Sequence, residues 1–133
     1  GQPGPGWLDS WPLREDTHME VQVFGVKKSA ETRAALRFFA ERRVKVHFVD
    51  LNERAASPGE LRRFAQKFGV QALVDDSSKR YQDLGLGVSL RGDDWWLGKL
   101  ADEPMLLRMP LVRFGQKLTL GAADATWREW TGK

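Results

Sequence analysis

Few side chains in this sequence could carry out chemistry, because its 133 residues include no cysteine and only two histidines. Without cysteine there can be no disulfide, no cysteine-ligated zinc or iron–sulfur site and no thiol nucleophile. His18 and His47 lie far apart, in different predicted elements, so a histidine metal site is not expected. The remaining candidates are Ser29 and Arg33 at a predicted helix start, and Met109-Pro110 much later in the chain.

Ser29 stands where a hydroxyl can accept a hydrogen bond from a free N–H of the first helical turn. A helix cap is favoured over a catalytic serine, because a serine nucleophile needs a general base and nothing indicates that His47 reaches it. The residues around Ser29 are basic, and two interpretations of that charge stay open. It forms a solvated face, which is favoured, or it forms a surface for an anion or an acidic partner through Lys27, Lys28, Arg33 and Arg37.

Hydrophobic periodicity predicts the elements that position these residues. An alternating β-rich run predicts a strand over Glu20–Phe24, and apolar residues at helical spacing predict a helix over Ser29–Arg43. A second alternating run predicts a strand over Val44–Leu51. A strand, a helix of about four turns and another strand indicate a right-handed parallel crossover.

The rest of the chain is predicted to be a helical middle followed by a hairpin and a closing helix. Ser57, Pro58 and Glu60 have the pattern of a helix start with a capping box. The other predicted elements are short helices at Val70–Val74 and Lys79–Leu84, helices at Asp93–Ala101 and Glu103–Arg108, strands at Pro110–Phe114 and Lys117–Leu120, and a helix at Ala122–Trp130. A βαβ unit plus a ββα unit predicts an α/β, thioredoxin-like domain. It has a mixed four-stranded sheet and a helical insertion between its halves.

Length and composition agree with one globular domain, since 41% of the residues are hydrophobic and 29% are charged. We predict a flexible N-terminal tail over residues 1–18, with Trp7 and Trp11 covering the domain surface, and a domain over 19–133 whose insertion spans about 57–108. The net charge of +3 is too diffuse to indicate direct nucleic-acid binding. No stretch reaches the roughly 18 apolar residues of a membrane span, so a cytoplasmic location is expected.

Two segments resemble the arsenate reductase (ArsC)/Spx family. They are VQVFGVKKSAETRAALRFFAERRVKVHFVDLNE, and EPMLLRMPLVRFGQKLTLG near the end of the chain. The loop Phe24–Ser29 is similar to one whose family sequence is tyrosine, glycine, isoleucine, lysine, asparagine, cysteine, with Gly25 and Lys27 identical. The resemblance covers roughly Val21 to Trp130. It implies a thioredoxin-like fold with a helical insertion.

The chain departs from the family where the family's chemistry takes place. The resemblance places the nucleophilic cysteine at Ser29 and the following basic residue at Arg33, while the arginine before the proline is replaced by Met109. Arg108 is one position too early, and in an extended segment it would point the other way. The family's middle arginine falls near Asp76-Ser77, with Lys79 and Arg80 close by. The resemblance also implies that Pro110 is a cis proline.

A serine cannot replace the family's thiolate, because it has no thiol–disulfide cycle. We therefore expect a pseudoenzyme: a non-catalytic binding or regulatory protein, with a protein partner or a small anion as ligand. No cofactor is expected. By analogy with Spx, the RNA polymerase alpha subunit is one possible partner. The alternative is a glutathione-dependent arsenate reductase whose cysteine has been changed to Ser29. A third hypothesis is that glutathione or a peptide binds beside Pro110.

Overall fold

The computed structural model describes residues 19–88 and 91–132. The predicted tail over residues 1–18 lies outside the described residues, and so do Trp7, Trp11 and His18. Throughout the described ranges, no helix combines the length and apolar character needed to cross a membrane.

One mixed sheet forms the centre of the fold. Its strands are β1 (Glu20–Gly25), β2 (Lys45–Asp50), β3 (Leu111–Phe114) and β4 (Lys117–Leu120), in the order β2-β1-β3-β4. β1 and β2 are parallel, and the other two pairs are antiparallel. The predicted mixed four-stranded sheet, built from a βαβ and a ββα half, is confirmed.

The described helices cover both faces of this sheet. They are α1 (Ala30–Glu41), α2 (Pro58–Phe68), α3 (Lys79–Asp83), α4 (Asp93–Asp102) and α5 (Asp124–Thr131), with 3-10 turns at Val70–Leu73, Leu86–Val88 and Pro104–Leu106. α2, α3, α4 and the three turns lie between β2 and β3 in sequence, in the region predicted as the insertion. The division into domains remains a prediction.

The prediction of a helix over Glu103–Arg108 is wrong. Only Pro104–Leu106 turns, as a 3-10 helix, and Leu107 is already extended and bridges to Val74. The apolar spacing in this segment reflects burial of Leu106 and Leu107 in the core. The residue before a proline also disfavours helical backbone, so Pro110 limits any helix upstream of Met109.

The alternation of side chains along β1 divides the core in two. Val21 and Val23 face α1 and α5, where Trp127 is buried and its Nε1 donates to Thr119 Oγ1 at 2.8 Å. Phe24 faces the opposite side, where it packs edge-on against Phe64 of α2. Helices on both faces thus fix β1, and the loop that follows β1 carries Ser29.

Candidate functional site

Ser29 is the N-cap of α1, as the sequence predicts. Its Oγ accepts a hydrogen bond from Thr32 N at 3.1 Å, and its own N–H donates to Val26 O at 3.0 Å. The backbone is extended at Ser29, as an N-cap requires. The hydroxyl oxygen therefore satisfies a free N–H of the first turn of α1.

A cleft of about 650 Å³ lies between the start of α1 and the segment that leads into β3. Lys28, Ser29 and Glu31 line it on the α1 side. Arg108 and Met109 line it on the other side, where the cis Met109-Pro110 peptide directly precedes β3. The fold thus places the two positions where the sequence departs from the family, Ser29 and Met109, on one cleft.

Arg108 also lines the cleft, which corrects the expectation that it points away. Its Nε donates to Ala72 O at 3.1 Å. Alternation of side chains holds within a strand, but Arg108 lies before β3 and the chain bends at Met109. Both neighbours can therefore line the same cavity.

Arg33 is turned toward its own loop. Its Nη1 donates to Lys27 O at 2.7 Å and to Lys28 O at 3.1 Å, and Arg33 is absent from the residues that line the cleft. The side chain holds the β1–α1 loop against the first turn of the helix. Pro110 is buried behind the cleft wall.

Asp75 and Ser77 also line the cleft, and the sequence pattern did not predict them as site residues. Asp75 Oδ1 accepts from Ser77 Oγ at 2.6 Å and from Ser77 N at 3.1 Å. Asp75 N donates to Leu106 O at 2.7 Å, which ties this turn to the segment leading into β3. The only sequence signal was the uncertain alignment of the family's middle arginine near Asp76-Ser77.

Neither basic residue near that alignment reaches the cleft. Arg80 binds Glu103 through two bonds, Nε to Oε1 at 2.7 Å and Nη2 to Oε2 at 3.0 Å. The hydrogen bonds from Arg80 hold the pKa of the Glu103 carboxyl below its ordinary value. Lys79 lies 3.7 Å from Asp83 within α3.

The charges on the cleft wall balance. Lys28 and Arg108 supply two positive charges, and Glu31 and Asp75 supply two negative ones. Across the described ranges, no group of three or more histidine, cysteine, aspartate or glutamate residues could hold a metal ion. His47 contacts Glu20 at the start of β1, whereas Ser29 follows its far end. Among the described residues, therefore, no histidine lines the cleft as a base for Ser29.

Comparisons with known proteins agree with this architecture. A family model described as the ArsC family matches residues 24–130. An arsenate reductase of Neisseria meningitidis is 27% identical over 105 residues, covering 77% of this chain and 90% of that protein. An uncharacterized protein of Bacillus subtilis, YusI, is 25% identical over 115 residues, covering 84% and 98%.

The fold is matched among solved structures. An arsenate reductase from Vibrio cholerae superposes with a TM-score of 0.74 at 24% identity, covering 84% of this chain and 98% of that one. A likeness at this identity shows the fold alone. It confirms the thioredoxin-like architecture with its helical insertion.

Proposed function

The chain belongs to the ArsC family, and we propose that it is a non-catalytic binding protein of that family. The observation that carries this proposal is the state of Ser29. At the position that the resemblance assigns to the nucleophilic thiolate, the oxygen caps α1 through Thr32 N. A hydroxyl without a base stays protonated and cannot enter a thiol–disulfide cycle.

The balance of charged side chains around the cleft supports the same proposal. Met109 stands where the resemblance places an oxyanion-holding arginine, and the cleft lining also includes the carboxylates of Glu31 and Asp75. With two carboxylates against two cations, the side chains of the wall carry no net charge to attract a dianion such as arsenate. A protein partner, which can match both signs of charge across one surface, fits this wall better than a small oxyanion does.

Site-specific crosslinking tests the proposal. With the photoreactive residue benzoylphenylalanine in place of Met109, we expect a discrete crosslinked partner in an extract of the source cells. With the same residue in place of the exposed Arg128 on α5, we expect no crosslinked partner.

Calorimetric titration with arsenate, phosphate and sulfate tests the alternative that the cleft binds a small anion. If no crosslink depends on position 109 and no oxyanion produces heat, the binding proposal is wrong. The RNA polymerase alpha subunit is proposed only by the Spx analogy, and the identity of the crosslinked protein tests it.

Titration with glutathione distinguishes this proposal from the reductase alternative. It also tests the third hypothesis, which places glutathione or a peptide beside Pro110. We expect no binding heat and no shift in melting temperature with millimolar glutathione at neutral pH, because the side chains that line the cleft carry no net charge to attract this anionic tripeptide. Saturable heat that is lost in a Met109→Trp variant would place glutathione in the cleft and favour a thiol-dependent ancestry of this site. A cytoplasmic location remains a prediction from the sequence.

A further inference from the structure

A second depression lies at the opposite end of the sheet from the cleft, between α2 and the β3–β4 hairpin. It has a volume of about 460 Å³ and is here called the basic groove. Its polar walls and floor come from Arg63, Gln66, Lys67, Arg113, Gln116 and Leu118. No residue lines both the basic groove and the cleft. The two surfaces can therefore be tested independently.

The charge of the basic groove is one-sided. Arg63, Lys67 and Arg113 supply three cations, and none of the described residues that line it is a carboxylate. Within the described ranges, none of these three side chains forms an ion pair. Glu60, the acidic residue of α2, is bound instead by Arg54, through bonds of 3.1 and 3.2 Å. Among the described residues, Lys67 contacts only the ring of Phe68, at 5.6 Å, and Arg113 Nε donates to Gly115 O at 2.8 Å, so no carboxylate neutralises these cations there.

The groove continues across the sheet. A smaller depression of about 210 Å³ shares Arg113 and Gly115 with it and extends over Gln22 to His47, where the carboxylate of Glu20 also lines it and contacts the His47 ring. Gln22 pairs with both His47 and Arg113 in the strand register, so the three side chains form a row over three strands. Two strand spacings make this row about 10 Å long. The surface therefore suits an extended ligand.

We propose that the basic groove binds an acidic segment of a partner protein. Its cations lie on β3 and at exposed positions on α2, so they do not enclose a single anion. Affinity must therefore come from several contacts distributed along an extended ligand. Arginine forks bind carboxylates through paired hydrogen bonds, and Gln66 and Gln116 can serve the backbone of the segment. Single-stranded nucleic acid is disfavoured, because His47 is the only ring among the described residues that line the two depressions, and it already contacts Glu20, so the surface has no row of aromatic side chains to stack with bases.

The test uses the full chain and a fluorescein-labelled peptide of ten glutamates, followed by anisotropy at 50 and 200 mM salt. We expect saturable binding that weakens with salt, and a loss of at least tenfold in affinity for Arg63→Glu/Lys67→Glu. The neutral pair Arg63→Gln/Lys67→Gln is expected to lose less. The control, Lys79→Glu/Arg128→Glu, makes the same charge change at exposed positions on α3 and α5, outside the basic groove and the cleft, and we expect a change below threefold.

Three results would overturn the proposal. The first is no saturable binding of the peptide. The second is an equal loss in the control pair, which would show a response to net charge alone. The third is displacement of the peptide by a ten-nucleotide oligothymidylate or by millimolar phosphate at lower concentrations than unlabelled peptide, which would assign the groove to nucleic acid or to a small anion. Circular dichroism of each variant verifies that α2 is intact.

Discussion

Replacing Ser29 with cysteine is expected to create a reactive thiol without creating an arsenate reductase. The sulfur would sit at the N-terminus of the twelve-residue α1, beside Lys28, and both features lower a thiol pKa below its usual value of about 8.5. We expect iodoacetamide to alkylate Ser29→Cys at pH 7 about tenfold faster than a free thiol. Glutathione-dependent arsenate turnover is expected to stay at background, because Met109 supplies no cation to the oxyanion.

The double variant Ser29→Cys/Met109→Arg carries at positions 29 and 109 the cysteine and the arginine that the resemblance assigns to them. We expect its arsenate turnover to exceed that of Ser29→Cys by at least tenfold, because the new guanidinium would lie in the cleft beside the thiolate. Ser57→Cys is the matched control, since Ser57 caps α2 through Glu60 N and lies outside the cleft. Its alkylation rate shows how far a helix N-terminus alone, without the cleft, raises thiol reactivity.

The comparison of single and double variants separates the two readings of Ser29. Full turnover in Ser29→Cys alone would favour a reductase altered at one position and would contradict the binding proposal. Slow alkylation of Ser29→Cys, no faster than Ser57→Cys, would show that the cleft contributes nothing to thiol reactivity. Background turnover in both variants would show that further positions, such as Asp75, also bar the reaction.

The sheet and Ser29 could be predicted because their determinants are local. β1 and β2 carry alternating apolar residues, and an N-cap needs only a side-chain oxygen followed by a helix. The cleft wall contributed by Asp75 could not be predicted. Its position depends on the hydrogen bonds from Asp75 N to Leu106 O and from Arg108 N to Leu73 O, which join segments more than 30 residues apart. Arg108 was misplaced because the bend at Met109 interrupts the alternation that the prediction assumed.

Gly25→Ala is expected to destabilise the fold by at least about 2 kcal/mol, the range of overpacked cores. An added Cβ would lie 2.4 Å from Thr32 Oγ1 and 2.7 Å from Thr32 Cγ2. Thr32 is fully buried on the inner face of α1, so it cannot swing into solvent. We expect a fall in melting temperature of roughly 5–10 °C, measured by circular dichroism. Gly98→Ala is the control, because nothing lies within 4 Å of its added Cβ inside α4. This variant should gain about 0.5–1 kcal/mol.

A double-mutant cycle with Thr32→Ala shows whether the close approach is the cause. Thr32→Ala removes both atoms nearest to the added Cβ, so the penalty of Gly25→Ala should fall by about 1 kcal/mol or more in that background. Additive effects would contradict this account. Gly25 ends β1 and Thr32 N donates to Ser29 Oγ, so their contact sets how closely the start of α1 approaches the sheet. Gly25, which the resemblance matches to a glycine of the family loop, therefore has a steric role in this chain that does not depend on cysteine chemistry.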